Sequence, residues 1–145
     1  MNPSPLQLEH HWFTKVSIES HVNGIVGTEN ILECQFGTGQ AEDNPRRFRA
    51  VLGLKFASHP EKQACYTGEI CSEGFFQVLP EWPAEKMQML VDANAPALLY
   101  GAIRELLLNI TERGPWPPLR LIAMSFIDDA KKAEAAQKAQ TTLIN

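Results

Sequence analysis

The side chains with the most chemical potential in this sequence are its three cysteines and four histidines. A thiolate beside a histidine base is the arrangement of a nucleophilic enzyme, and His59 could act as that base for Cys34, Cys65 or Cys71. The spacing of these residues shows no such pair, and the sequence contains neither a glycine-rich phosphate loop nor a nucleophile elbow. We therefore predict no catalytic residue and keep a cysteine-dependent enzyme as a remote alternative.

The same residue types do not have the spacing of a metal site. No cysteine belongs to a Cys-x-x-Cys pair, and the histidines His10, His11, His21 and His59 are scattered along the chain. His10 and His11 are neighbours, so on a strand they point to opposite faces and cannot bind one ion together. An odd number of cysteines also argues against a disulfide framework. We expect reduced thiols, no metal and no cofactor.

The composition is that of one globular domain. At 145 residues, with 44% hydrophobic and 21% charged residues, the chain is too short for two ordinary domains and too apolar for a disordered protein. A formal net charge of −4 argues against the basic face of a nucleic-acid binder. No apolar run approaches the roughly 18 residues that cross a bilayer, and the N-terminus does not have the pattern of a signal peptide. We predict a cytoplasmic protein without nucleic-acid binding or direct membrane insertion.

The first half of the chain has the alternation of apolar and polar residues that is typical of strands. Strands are predicted over residues 12–18, 31–36, 48–57 and about 64–78, and the composition of residues 37–45 predicts a loop. Four strands joined by short turns indicate an antiparallel meander or a Greek-key sheet.

The second half of the chain is predicted to be helical. Apolar residues recur at helical spacing from Met87, and we expect Asn94-Ala95-Pro96 to interrupt the helix, with Asn94 capping a restarted one. The restarted helix is predicted to end near Gly114, and a last helix covers about residues 130–140. The predicted fold class is therefore α+β, a four-stranded antiparallel sheet followed by a long helix and a C-terminal helix. The restarted helix carries an apolar stripe, which consists of Leu99, Ile103, Leu106, Leu107 and Ile110.

Four segments, in collinear order, resemble motifs of the SecB family of protein-export chaperones. Residues 13–15, Phe-Thr-Lys, are similar to the family's Tyr-Thr-Lys strand, and residues 69–76 to its Glu-Val-x-x-Gly-Gly-x-Phe strand. Residues 94–105 resemble its helix signature, and residues 113–121 its Arg-Gly-x-Phe-Pro-x-Leu-x-Leu turn. The resemblance covers roughly residues 12–128.

The resemblance implies a fold that agrees with the one predicted from the residues. We expect one SecB-like domain over residues 12–142, with flexible segments at residues 1–11 and 143–145. Family members are homotetramers, dimers of dimers that pack their long helices together. The stripe residues expected in that oligomer interface are Leu99, Ile103, Leu106 and Ile110.

The resemblance further implies an ATP-independent holding chaperone that binds unfolded preproteins in an apolar groove and passes them to the export motor SecA. Clients that share no sequence require an adaptable surface, and aromatic and methionine side chains provide one. The candidate client-binding residues are Phe36, Phe75, Phe76, Val78, Trp82, Met87, Leu90 and Trp116.

Motor docking in the family uses acidic residues on the exposed face of the sheet, and Glu19 and Glu69 match those positions. Alternation along the first strand places Glu19 on a solvent-facing side with Phe13 and Lys15. Carboxylates of this kind would make docking sensitive to salt.

The C-terminal tail departs from the family. In place of an acidic tail that helps to engage the motor, this chain carries Lys131, Lys132 and Lys138. The departure leaves a second reading within the same fold, a dedicated chaperone for one client such as an antitoxin.

Overall fold

The computed structural model describes the backbone of residues 1–144 and the side chains of residues 1–140. Four strands come first, and a short 3-10 turn, Ala84–Lys86, then leads into two helices. This element order confirms the predicted α+β fold class. The elements are β1 (Leu6–Ser20), β2 (Ile31–Gln40), β3 (Arg47–Ala57), β4 (Tyr66–Val78), α1 (Met87–Thr111) and α2 (Ile127–Ile144).

The four strands form one antiparallel sheet in the order β1-β4-β3-β2. Strands β2, β3 and β4 follow one another as hairpins, whereas the connection after β1 carries the chain from one edge of the sheet to the other. This is the Greek-key alternative rather than the meander. Strands β1 and β2 are consequently the two edges.

The core lies between α1 and one face of the sheet. On β3 the alternating residues from Phe48 to Phe56 are buried, and from α1 they meet Leu99, Ile103 and Leu107, which have no exposed surface. Burying a side chain of this size stabilises the fold by about 1.5–3 kcal/mol. The other side of the sheet, which we call the open face, is covered by neither helix.

Helix α1 is continuous, so the predicted interruption at residues 94–96 is wrong. Asn94 does not cap a new helix, because its side-chain amide donates to the Leu90 carbonyl at 2.8 Å within the running helix. Pro96 costs α1 one backbone hydrogen bond. It is nevertheless buried, and the apolar contacts before and after it hold both halves of the helix on the sheet.

The ends of the strands also differ from the predicted ones. β1 begins at Leu6, which is buried and pairs with Val78, so residues 6–11 are strand where the sequence predicted a flexible segment. β2 continues to Gln40, into the predicted loop, because its glycines pair with β3. At the C-terminus α2 reaches Ile144, and residue 145, the end of the predicted flexible segment 143–145, lies outside the described residues.

Candidate functional site

A groove of about 450 Å³ separates the helix-facing side of β2 from the two helices. It exists because α2 packs mainly on α1 and leaves the helix-facing side chains of β2, which are alternate residues of the strand, partly uncovered. Phe36 projects from the strand into this groove, and Pro96 and Phe126 form the opposite wall. The other lining residues are Cys34, Gly37, Thr38, Asp92, Asp129, Ala130 and Ala133.

A second groove, of about 920 Å³, lies between the beginning of α1 and the outer part of α2. Trp82, Met89 and Leu90 supply its apolar surface, and Glu85 and Glu134 are among its charged residues. Asp92 lines both grooves, which makes them neighbours. We refer to the two together as the trough.

Asp92 is the acidic residue at the junction of the two grooves of the trough. Burial raises the pKa of Asp92, while a hydrogen bond of 2.9 Å from the Gln88 amide acts in the opposite direction. Burial also raises the pKa of the Cys34 thiol. Cys34 therefore stays protonated at neutral pH and contributes to the trough as a small apolar group rather than as a nucleophile.

The structure divides the predicted client-binding residues into three groups. Phe36 and Trp82 are half-buried and line the trough, where a chain from solvent could reach them, and Leu90 borders the trough but is buried in the core. Phe76 and Val78 have no exposed surface, and Met87 is buried against the same core. The prediction is wrong for Phe76 and Val78, because they point to the helix-covered side of the sheet and hold the core together.

The other two predicted client-binding residues lie away from the trough. Phe75 is on the open face, where the Arg47 guanidinium lies 4.3 Å from its ring centroid. Trp116 lies beyond the far end of α1, and its ring N–H donates to the His21 carbonyl at 2.9 Å. Its backbone N–H donates to the Tyr66 hydroxyl, so Trp116 fastens a loop to the sheet.

Several trough residues were not identified from the sequence. Met89, Pro96 and Phe126 contribute apolar surface, and Ala133 forms part of the wall on α2. Phe126 stands out in the sequence as an aromatic residue just before the last helix, which is a usable signal. Pro96 gave the opposite signal, because a proline predicts the end of a helix rather than the wall of a binding site.

Charged residues on the open face pair with one another across strands. Lys15 on β1 donates to Glu69 on β4 at 2.7 Å, and Arg49 on β3 pairs with Glu73 at the same distance. The hydrogen bond from Lys15 lowers the pKa of Glu69, and the same bond raises the pKa of Lys15. The negative charge of Glu69 is thus balanced by Lys15, whereas Glu19 lies exposed opposite Thr67.

A bulge in β1 corrects the predicted arrangement of that strand. The register with β4 shifts between Phe13 and Lys15, so Phe13 turns to the helix side while Lys15 and Glu19 remain on the open face. Strict alternation had placed Phe13 with the other two, and a bulge reverses alternation beyond it.

The predicted oligomer-interface residues also divide into two groups. Leu99 and Ile103 are fully buried against the chain's own sheet, so their assignment to an interface is wrong. Leu106 is half-buried and Ile110 is 37% exposed, on the flank of α1 that faces β1. The helix side of β1 adds Val16, 47% exposed, because α1 packs mainly over β3 and β4.

Two kinds of feature are absent from the described residues. No helix in residues 1–144 is long and apolar enough to cross a membrane. No group of three or more histidine, cysteine or acidic side chains with the geometry of a metal site occurs in the described part of the chain.

Comparison with known proteins gives consistent matches. A sequence model of the family described as "Preprotein translocase subunit SecB" matches residues 3–134. The chain is 24% identical over 137 residues to "Protein-export protein SecB" of Psychrobacter cryohalolentis, covering 93% of this chain and 89% of that protein. It is 28% identical over 93 residues to the protein of the same name from Methylococcus capsulatus, covering 64% of this chain and 58% of that protein.

A solved structure shares the fold. It is that of the Mycobacterium tuberculosis SecB-like chaperone in complex with a peptide from an antitoxin. The two structures align with a TM-score of 0.63 at 19% sequence identity, over 83% of this chain and 91% of the other.

Proposed function

This chain belongs to the SecB family of chaperones, and on that premise we propose that it holds unfolded preproteins in the trough without using ATP. The observation that carries the proposal is the position of the trough, an open apolar channel beside the edge strand β2. Such a channel can take an extended chain from the side, as an unfolded client requires.

The chemistry of the trough suits clients that share no sequence. Its apolar surface comes from aromatic and methionine side chains such as Phe36, Trp82 and Met89, which make large contacts with many shapes. The outer backbone groups of an edge strand can in addition pair with an extended client, whatever its side chains are. Holding of this kind needs no catalytic residue.

The test is suppression of aggregation. A denatured client is diluted into buffer with the protein and without ATP, and light scattering is followed over time. We expect suppression by the wild type and a loss of roughly tenfold in apparent affinity for Phe36→Ser, since about 1.5–3 kcal/mol of apolar contact is at stake. Gln35→Ser is the matched control, because Gln35 directly precedes Phe36 on β2 and points to the open face. No suppression of several unrelated clients by the wild type would refute general holding.

Transfer of the client to a SecA-type motor belongs to the same proposal, with Glu19 and Glu69 as docking residues on the open face. Glu19 is exposed and Glu69 is half-buried on the same face, which supports it. Binding of purified motor should weaken for Glu19→Gln and become less salt-dependent. Equal binding by the wild type and the Glu19→Gln, Glu69→Gln double variant would contradict this docking surface.

A dedicated chaperone for one client, such as an antitoxin, is the second candidate. The Lys15–Glu69 pair favours it, because this pair removes one acidic group from the face on which a basic motor would dock. The Mycobacterium tuberculosis chaperone of the same fold was solved with an antitoxin peptide, which gives the candidate a structural parallel. A single partner that co-purifies in stoichiometric amount, together with weak motor binding, would favour this candidate over export.

We also propose a cytoplasmic homotetramer, a dimer of dimers, assembled through the β1 edge. By this name we mean the uncovered helix side of β1 and the neighbouring flank of α1. Its exposed apolar side chains would be covered by a second copy, which explains why a single chain leaves them in water. Sedimentation velocity tests the assembly, and a single-chain mass at all concentrations would refute it. The β1 edge consists of Leu8, Phe13, Val16, Leu106 and Ile110.

A further inference from the structure

One polar residue interrupts the β1 edge. His11 lies on the helix side of β1, opposite Gly74, between the apolar residues of that strand. Its ring nitrogen Nε2 is 2.5 Å from the hydroxyl of Ser72, which has no exposed surface, and its ring meets Phe13 edge-on at 4.8 Å between centroids. The imidazole is thereby held in one orientation, half-buried.

The His11 ring forms a wall of a cleft of about 260 Å³ between β1 and α1. Leu106 and Ala102 give the α1 side of this cleft an apolar surface, and Glu105 and Asn109 stand at its polar end. The cleft opens onto the surface that we propose a second copy covers. A change of charge on His11 would therefore take place inside the assembly.

We propose that His11 makes self-association pH-dependent, with assembly favoured by the neutral ring and opposed by the protonated one. The inference rests on the proposed assembly through the β1 edge. Covering the cleft removes the remaining water from the ring, and desolvation disfavours the charged form of a histidine. Ser72 can satisfy a neutral imidazole as either donor or acceptor, so the neutral ring has no unmet hydrogen bond at that nitrogen.

Of the charged groups around His11, His10 supports the same sign, whereas the carboxylate of Glu105 in the cleft acts against it. On its own strand the neighbour is His10, which adds to burial in lowering the pKa of His11 within a single chain. β4 presents Ser72 and Gly74 on this side, and its Glu73 points to the open face, where it pairs with Arg49. From α1 the facing charged group is Glu105, with which His11 makes no hydrogen bond or ion pair among the described contacts.

The direction of the pH effect follows from linkage. The assembled state prefers neutral His11, so its histidine pKa lies below that of the separate chains. Assembly is then unaffected by this group above the pKa of His11 in the separate chains, which burial already places below the ordinary histidine value of about 6.5, and it weakens as the pH falls below that pKa. A difference of one pKa unit between the two states corresponds to about a tenfold rise in the dissociation constant.

The experiment is sedimentation velocity across a range of concentrations at about pH 8 and about pH 5, the lower value being chosen because burial puts the pKa of His11 below the ordinary histidine value. We expect the dissociation constant of the wild type to rise about tenfold at the lower pH. His11→Gln should show no such change, because an amide keeps a hydrogen bond to Ser72 but does not titrate. His59→Gln, in the exposed loop between β3 and β4, is the control and should behave as the wild type.

Each other outcome overturns the inference. A pH-independent assembly of the wild type, or equal pH dependence in His11→Gln, refutes the role of His11 while the assembly itself stands. Stronger association at low pH, as a His11–Glu105 ion pair would give, refutes the sign. A sedimenting mass of one chain at both pH values refutes the assembly as well. Client holding is not affected by that result, because it is measured separately by light scattering.

A second measurement does not depend on the folding of a variant. The pKa of His11 can be read by NMR in the wild type at low and at high protein concentration. We expect a lower value in the concentrated, assembled sample. The same value in both samples would overturn the inference.

Discussion

The two edges of the sheet border the same helix but are left open in different ways. At the β2 edge, α2 stands away from the strand and leaves the trough, whose smaller groove lies between the strand and the two helices. At the β1 edge α1 leaves the strand partly uncovered, and the exposed apolar side chains lie beside a cleft that contains one titratable ring. A groove suits a thin extended chain, whereas a row of exposed apolar side chains along an edge suits a broad surface such as a second copy. On these proposals, similar apolar residues serve different partners because of what stands opposite them.

The largest effect is expected from the core that the two edges share. Ile103→Ala should lower the free energy of unfolding by about 2–5 kcal/mol, since Ile103 is fully buried between α1 and the sheet. Urea denaturation measures this loss, with exposed Glu112→Ala as the control that should change little. Client holding and assembly should fail together. Loss of only one of them would mean that α1 does not support both edges.

A substitution at the β1 edge should separate the two functions. Val16→Asp would place a carboxylate in the proposed interface and weaken assembly by about a hundredfold, close to 3 kcal/mol. Sedimentation gives the dissociation constant, and circular dichroism checks the fold. The exposed Ser17→Asp on the opposite side of β1 is the matched control. Val16→Asp assembly as tight as that of the wild type would refute the β1 edge as an interface.

Asp92 sharpens the comparison at the β2 edge. Burial raises the pKa of Asp92 in the folded state, so ionised Asp92 lowers the free energy of unfolding. This loss of stability is complete above the raised pKa of the folded state and vanishes below the ordinary pKa of the unfolded chain. Asp92→Asn should therefore gain stability at neutral pH, by under about 1 kcal/mol because the carboxylate is half-exposed. Urea denaturation at neutral and acid pH tests this, with the loop residue Asp43 changed to Asn as control. A gain in the free energy of unfolding that does not shrink at acid pH would contradict the raised pKa of Asp92. Assembly should not change in this variant.

The smallest effect is expected on the open face, away from both edges. Lys15→Gln should let the pKa of Glu69 return toward its usual value, because the hydrogen bond from Lys15 is the main cause of its lowering. A carboxyl titration by NMR measures the shift. Lys55→Gln is the control, since Lys55 makes the smallest contribution to the same carboxylate. An equal change of the Glu69 pKa in both variants would mean that the Lys15–Glu69 pair is not formed. Neither variant should alter client holding at the β2 edge or assembly at the β1 edge.

Much of the fold could be predicted because it depends on local patterns. The alternation of Phe48 to Phe56 predicts the central strand nearly to its observed ends, Arg47–Ala57. The sequence-based predictions of secondary structure were wrong where contacts with distant parts of the chain override the local conformational preference. Pro96 remains helical because the sheet holds α1 on both sides of it, and the first residues of β1 are ordered because Leu6 reaches Val78.

The site was predicted only in part, since a hydrophobic residue can face the core, a groove or a partner. Phe36 and Phe76 are the same residue type on neighbouring hairpins, yet one lines the trough and the other is fully buried. Leu98 and Leu99 are adjacent on α1, and only Leu98 is exposed. No composition or periodicity within one element distinguishes such residues.

The sequence by itself determined the types and order of the elements and the family motifs, because alternation, helical spacing and turn chemistry act over a few residues. The tertiary structure decided which partners these elements meet. A bulge turned Phe13 toward the helices, and strand pairing joined Lys15 to Glu69 across 54 residues of chain. Burial and charge pairing depend on distances that the chain closes only when it folds, which is why the trough, the β1 edge and His11 beside Ser72 emerge from the folded molecule.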